Sequence, residues 1–544
     1  MEFNNNGYNK LSDEALCRIG GESLGAQIPV RLCAEKAPCE IAEDFILPEY
    51  LPEIRKLLRV SAVPSSPSRY LAASSVKLSG TVEYNVIYVG SDGCVYSASL
   101  SDEYEMSVPL SCDSDRDPDG ALSVLADIEA YDVISRVTGA RKLNIRSRLL
   151  ANVKVVGELY AQCGASISDE AHVQKLIKSC EYFSEVFGEN CETEAVDELV
   201  FGVGERYISS DCRVFVESVS AFEGYVECRG NVLMRHLAER QGGKLYEITR
   251  KIPFSETVEV DGIGSGMPVT AFGRCTAIIK NVSDDGDDES GNAVTVSAHI
   301  KLCAKGYRRL NVRYVKDAFS TAFECENETV DIKLPKLYAC ANKNMTLSET
   351  RGIDCLGGAF EANALAVCDA TAEASVESVE LSESEKYVIN GKCRFYVLLL
   401  QTNEGEADGS ETAEYSSAEV EVPFRYECAE SGDAPSVIDI CVEAIDPRVR
   451  CDGERVDLAC EIVLSYELEG REELKTVENT RFGAELEKRR RGYTVCYPDK
   501  NDNLWSISKR YKATVSKTAR GNGIDVASDA DCISLPDGIR YMIV

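Results

Sequence analysis

The chain has 544 residues, 44% of them hydrophobic, and its 91 Asp/Glu outnumber 59 Lys/Arg to give a formal net charge of −32. That length is too great for one core, so several packed domains are expected. The charge repels nucleic acid and anionic membrane surfaces, which excludes both as expected partners, and no stretch approaches the ~18 apolar residues of a membrane span.

The N-terminus, Met1 to Lys10, is polar and Asn-rich and lacks the charged start and apolar run of a signal peptide, so a cytosolic location is expected. Charge is unevenly placed. Residues 481–544 hold 12 Lys/Arg against 8 Asp/Glu, a net of +4, which leaves −36 on the rest. The 23 cysteines include no Cys-x-x-Cys pair, and the closest two are Cys33 and Cys39. This spacing fits reduced thiols used as small hydrophobes better than zinc sites or a disulfide scaffold. Three histidines (His172, His236, His299) give little support for a His-based centre, and His299 faces outward on a predicted strand.

One strand pattern occurs three times. Val76, Leu78, Gly80, Val82, Tyr84 and Val86 alternate with polar residues, as do Val226, Cys228, Gly230, Val232 and Met234, then Ile389, Gly391, Cys393, Phe395 and Val397. Strict period two marks half-buried antiparallel strands. The glycine on each apolar face predicts a close backbone approach or a bulge. A turn and a second strand follow each copy, with Pro253-Phe254 and Pro423-Phe424 in the later copies and Tyr104-Glu105 in that place in the first. Each unit closes on a further strand: Leu143 to Leu159, Val294 to Leu302, and Val456 to Tyr466. The glycines lie 150 and 161 residues apart, the spacing of whole domains rather than solenoid repeats.

Between units the reading places connectors. Asp169 to Phe187 predicts a helix, with Ser168 as N-cap and Val173, Leu176, Ile177 and Cys180 on one stripe. The acidic stretch Ser283 to Asn292 lacks EF-hand spacing and favours a solvated hairpin loop over a calcium site. No paired-carboxylate, Cys/His or metal constellation emerges, so neither an enzyme nor a cofactor is expected.

The tail is the sharpest signal. Tyr493-Thr494-Val495 predicts a strand, and Leu504 to Tyr511 a helix with Leu504, Ile507 and Tyr511 on one side. Thr514 is placed to cap a second helix that Asn522-Gly523 ends, and Gly538 to Ile543 predicts a return strand. The only tryptophan, Trp505, is expected to pack against this sheet more than to contact a ligand. Lys488 to Arg491 form a basic run before the module, read as a solvated linker or as a dock for an acidic partner, including the chain's own acidic body.

The body resembles the SPOCS domains of clostridial sporulation proteins in Leu47 to Val60, in the Gly80 strand with Val86-Ile87-Tyr88, and in Val315 to Ser320. Residues 493–544 resemble a LysM domain, with Asn501-Asp502-Asn503-Leu504 where that family has Gly-Asp-Thr-Leu, and Thr518 where a leucine is usual. The resemblance implies a mainly β chain of three antiparallel β-sandwich or partial-barrel repeats followed by a β-α-α-β module. Its divisions are an N-terminal segment (1–24), SPOCS-like repeats at 25–165, 195–320 and 345–470, a helical connector (166–194), a connector (321–344), a basic linker (471–491) and a LysM module (492–544). It implies a binding groove at Asp502, Asn503, Leu504, Trp505, Asn522, Gly523 and Ile524. Repeated SPOCS domains before one LysM module is the layout of SipL-like spore morphogenesis proteins. That layout implies a non-enzymatic adaptor in the mother-cell cytosol, at the forespore surface. Its tail would dock onto a SpoIVA-type basement-layer ATPase and its body onto coat proteins. The alternative is binding of peptidoglycan, an N-acetylglucosamine glycan, by the LysM module.

Overall fold

The computed structural model describes residues 24–110, 122–167, 170, 172–283, 293–357, 365–404, 411–487, 492–524, 535 and 540–544. The predicted N-cap Ser168, the acidic loop after Ser283 and the basic run 488–491 lie outside them. The chain is mainly β, and the described residues form seven antiparallel sheets.

The first block comprises β1 (Ala26–Ile46), β2 (Ile54–Pro64), β3 (Ser68–Leu71), β4 (Ser75–Gly90), β5 (Val95–Pro109), β6 (Ser123–Gly139) and β7 (Lys142–Ala161). One sheet has the order β1-β7-β6; in the other, β2 and β3 pair with successive parts of β4, and β5 pairs with β4 as well. The second block comprises β8 (Val173–Val200), β9 (Arg206–Phe222), β10 (Tyr225–Glu239), β11 (Leu245–Glu259), β12 (Val269–Ser283) and β13 (Ala293–Ser320), in sheets β12-β13-β8 and β11-β10-β9. The third comprises β14 (Phe323–Gly352), β15 (Leu365–Leu381), β16 (Lys386–Glu404), β17 (Glu411–Ser431), β18 (Val437–Asp452) and β19 (Arg455–Glu485), in sheets β14-β19-β18 and β15-β16-β17. In each block the last strand lies between the first and the penultimate, while the other sheet is a meander in the second and third blocks and is centred on β4 in the first. A separate apolar core fills the space between the two sheets of each block.

This arrangement corrects the connectors. The expected helix at 169–187 is the first half of β8, which pairs with β13 along nearly its whole length. Its helical spacing has a physical origin: both strand faces are covered. Val173 and Ile177 pack with Val315 and Val477, whereas Leu176 packs on the opposite side against Trp505. A strand buried on both faces loses its period-two pattern. Residues 321–344 likewise fall largely in β14, and most of 471–491 continues β19.

The three glycines carry the repeat. Gly80 lies opposite Tyr104, Gly230 opposite Phe254 and Gly391 opposite Phe424, so each is covered by an aromatic ring from the next strand. A register shift sits at Gly230 and another beside Gly391, the bulge alternative, whereas the ladders beside Gly80 run without one. Seven residues beyond each glycine stand Ile87, Leu237 and Leu398, and these three meet in one apolar cluster. Leu58, Ile208 and Cys368 from the preceding strands join them, with Val95, Leu245 and Tyr415 from the following ones. Equivalent positions of three blocks therefore converge.

Beyond this cluster the blocks meet through buried ion pairs. Arg59 reaches Asp369 at 2.5 Å, and Arg235 lies 3.6 Å from the same carboxylate. Arg274 of the second block is held by Asp127 (3.1 Å) and Glu129 (2.7 Å) of the first and by Glu443 of the third. Further along, Lys154 contacts Glu185, Asp439 and Glu467, while Lys305 reaches Asp439 at 2.6 Å. Arg31 bridges Glu185 (2.8 Å) and Glu469 (2.9 Å). Burial alone would raise the Asp439 carboxyl, but Lys305 and Lys154 outweigh it and hold it far below the usual range. Glu467 goes the other way, raised because burial exceeds the pull of the same two lysines.

Two predictions follow from this packing. A Cβ at Gly230 would lie 2.1 Å from the Phe215 carbonyl oxygen, and one at Gly391 2.4 Å from that of Ser375, whereas at Gly80 only the Tyr104 ring end and the Ser65 side chain obstruct it. Gly230→Ala and Gly391→Ala should each destabilise their block by about 3 kcal/mol, and Gly80→Ala by clearly less, as read by hydrogen exchange in the respective cores. Asp439→Asn should cost about 3–5 kcal/mol at pH 7 by leaving two buried ammonium groups short of a countercharge. Because the folded carboxyl is depressed, that contribution is complete above its unfolded value of 3.8 and lost as pH falls below it. Urea titrations of both proteins at pH 7 and pH 3 should therefore show the gap beginning to narrow in acid.

Candidate functional site

The tail folds as β20 (Val495–Cys496), α1 (Leu504–Arg510), α2 (Val515–Gly521) and β21 (Met542–Ile543), with Val495 opposite Ile543 and Cys496 opposite Met542. Cys496, Leu504, Ile507, Ala519 and Met542 form its core. Asn503 caps α1: its side chain accepts from Ser506 N, and the Ser506 hydroxyl accepts from Asn503 N. Thr514 occupies the α2 N-cap position as expected, but its side chain makes no capping bond. Thr518, at the position where leucine is usual, is buried and its hydroxyl bonds back to the Thr514 carbonyl.

The residues expected to form the groove are mostly committed to holding the module together. Asp502 accepts two bonds from Arg510 and one each from Ser506 Oγ and Asp499 N. Burial would raise its carboxyl, but these donors bring it below the ordinary value. Leu504 is in the core, and Ile524 packs against it. The Asn522 side chain donates to the carbonyls of Thr518 and Ile543 and accepts from Ile543 N, which staples the end of α2 to β21. Gly523 has φ of +66°, the left-handed turn that ends the helix.

Trp505 packs, but against the body instead of its own sheet. The indole meets the Phe319 ring edge-on at 5.0 Å between centroids, with Leu176 beside it. Its Nε1 donates to Asp317 Oδ2 at 2.9 Å, and Lys509 Nζ lies 2.6 Å from both Asp317 oxygens. Val515 N donates to Gln174 Oε1 at 3.3 Å. Sequence reasoning missed this seam, although the mildly basic tail behind an acidic body is its trace. Elsewhere on the module, Tyr493, Val495, Tyr497 and Tyr541 are exposed.

Two further places hold chemistry-bearing groups. A cavity of about 520 Å³ opens where edge strands of the three blocks meet, bordered by Asp127, Glu129, Arg213, Arg274, Glu373 and Glu443. Burial pushes the Asp127, Glu373 and Glu443 carboxyls up despite the neighbouring guanidinium groups, and all six side chains are ion-paired with one another. Ser210, His236 and Asp197 form a hydrogen-bonded line, with Ser210 Oγ 2.6 Å from His236 Nδ1 and His236 Nε2 3.1 Å from Asp197. No sequence spacing ties these three together; cross-strand pairing of Ser210 with His236 does. The imidazole is fully buried, which lowers its basicity, and the Ser210 hydroxyl also bonds Tyr207. A nucleophile needs room for its substrate, and this serine lies inside the packing of β8, β9 and β10, so the line acts as a polar tie between strands.

No known family model, curated protein or solved structure matches this chain.

Because the tail's own core excludes Trp505, truncating that side chain should free the module without unfolding it. Trp505→Ala should weaken the seam by about 3 kcal/mol. The measurement is limited trypsin digestion, which should cut faster at the basic run 488–491, while the released fragment keeps its helical circular dichroism.

Proposed function

We propose that the chain is a non-enzymatic adaptor of spore envelope assembly. In this reading the three sheet pairs are SPOCS-like β-sandwich repeats and the tail is a LysM module. The protein acts in the mother-cell cytosol at the forespore surface, where the tail docks onto a SpoIVA-type basement-layer ATPase and the body engages coat proteins. The observation that carries the reading is the use made of the tail's one tryptophan. It docks the tail on the chain's own body through an aromatic ring and a carboxylate, the kind of contact one protein makes with another, while the polar groups of Asp502 and Asn522 are satisfied inside the module. A module whose sugar-loop side chains are already bonded offers few free groups for acetamide recognition, and Trp and charged pairs are what protein interfaces use.

One observation favours the second reading, glycan binding. Tyr493, Tyr497 and Tyr541 stand 89%, 76% and 58% exposed, and aromatic rings so placed suit sugar faces as well as protein. Pull-downs separate the two. The full chain, and the chain ending at residue 491, are offered insoluble peptidoglycan and the basement-layer ATPase. Retention of the ATPase that depends on 492–544 is expected; retention on peptidoglycan with no ATPase binding would sink the adaptor.

A further inference from the structure

The seam between tail and body shows what the tail recognises. We infer that the face of α1 bearing Trp505 and Lys509 is a recognition site for an extended segment carrying a carboxylate and, two residues later, an aromatic ring. The chain's own Asp317-Ala318-Phe319 occupies this site in cis as a releasable latch. This rests on reading the tail as a protein-docking module.

The geometry has two matched spacings. Trp505 and Lys509 are four residues apart on α1, so both project from one side across about 6 Å of helix. Asp317 and Phe319 are two residues apart on β13, so both face one way across about 7 Å of strand. The carboxylate takes the indole N–H and the ammonium group together, and the ring takes the indole edge. Leu176, the register partner of Asp317 on β8, floors the contact, and Gln174, the partner of Phe319, adds the bond from Val515 N. Asp317 is itself held in place by Asn327 and by the backbone of Ala318. The ligand is thus presented on a rigid strand end.

Two features make the latch releasable. The tail has a complete core of its own without Trp505, so undocking leaves it folded. Only residues 488–491 separate the described ends of body and tail. A tether that short gives an effective concentration on the order of millimolar, so the cis segment holds the site against any dilute competitor. A protein partner presenting an acidic-x-aromatic strand has to displace it.

The sole tryptophan reports the test. Full-length Asp317→Arg should keep its far-ultraviolet circular dichroism and shift Trp505 emission to longer wavelength as the indole meets water. Adding the peptide Val-Lys-Asp-Ala-Phe-Ser should shift it back, with affinity at least about tenfold tighter than for the native chain, whose site is filled. Peptides with Asn for the Asp, or Ala for the Phe, should not act. Lys509→Glu should also open the latch, yet bind no peptide, because the carboxylate's partner is gone. Emission unchanged in both variants would overturn the latch, and an opened Asp317→Arg chain blind to the peptide would overturn the recognition. Retention of the basement-layer ATPase with no peptide binding would leave the adaptor reading standing and remove this one. Peptide binding without ATPase retention would do the reverse.

Discussion

The structure depends on charge buried between sheets. Lys154, Lys305, Arg31 and Arg274 each contact carboxylates from other blocks, and together they tie all three blocks along a common seam. Buried ion pairs stabilise weakly against an apolar alternative but penalise any arrangement that leaves one partner alone. Their contribution here is therefore to fix how the blocks sit. Arg274, for instance, needs Asp127 and Glu129 from one side and Glu443 from the other, and a one-residue slip of β18 against β19 would turn Glu443 to the opposite face.

That seam was in the sequence in disguised form. Along β6, Asp127 and Glu129 alternate with core residues Ala126 and Ile128; along β19, Glu467 and Glu469 alternate with Tyr466 and Leu468. Period two reads the charged set as solvent-facing, which is right for one block taken alone. What converts those faces into interior is the neighbouring block, and local alternation carries no information about it. The strands β4, β10 and β16, which alternate strictly on either side of their glycines before their ends are buried on both faces, were legible. The strand β8 was not, because Val477 of the third block packs on one side and the tail on the other.

The tail was the most legible part in fold and the least in use. Its strand, helices and turn follow from Leu504, Ile507, Thr514 and Asn522-Gly523 at short range. The partner of Trp505 is Asp317, 188 residues earlier, and no local rule connects the two. The groups expected to bind a ligand, Asp502 and Asn522, turn out to brace the module, because in so small a core side chains must satisfy the backbone groups at helix ends and strand junctions.

The order of strands has a consequence for biosynthesis. In each block the first strand pairs with the last, so β1, β8 and β14 wait for β7, β13 and β19 before their ladders close. Contacts of such long sequence separation form slowly, and a chain emerging from the ribosome holds a finished block beside an unfinished one. A block whose outer faces were apolar would be sticky during that interval. Faces bearing Lys154, Asp127 and Glu129 instead stay hydrated until the next block arrives, and lose their water only on docking with the correct neighbour. The polar seam thus doubles as protection for the growing chain.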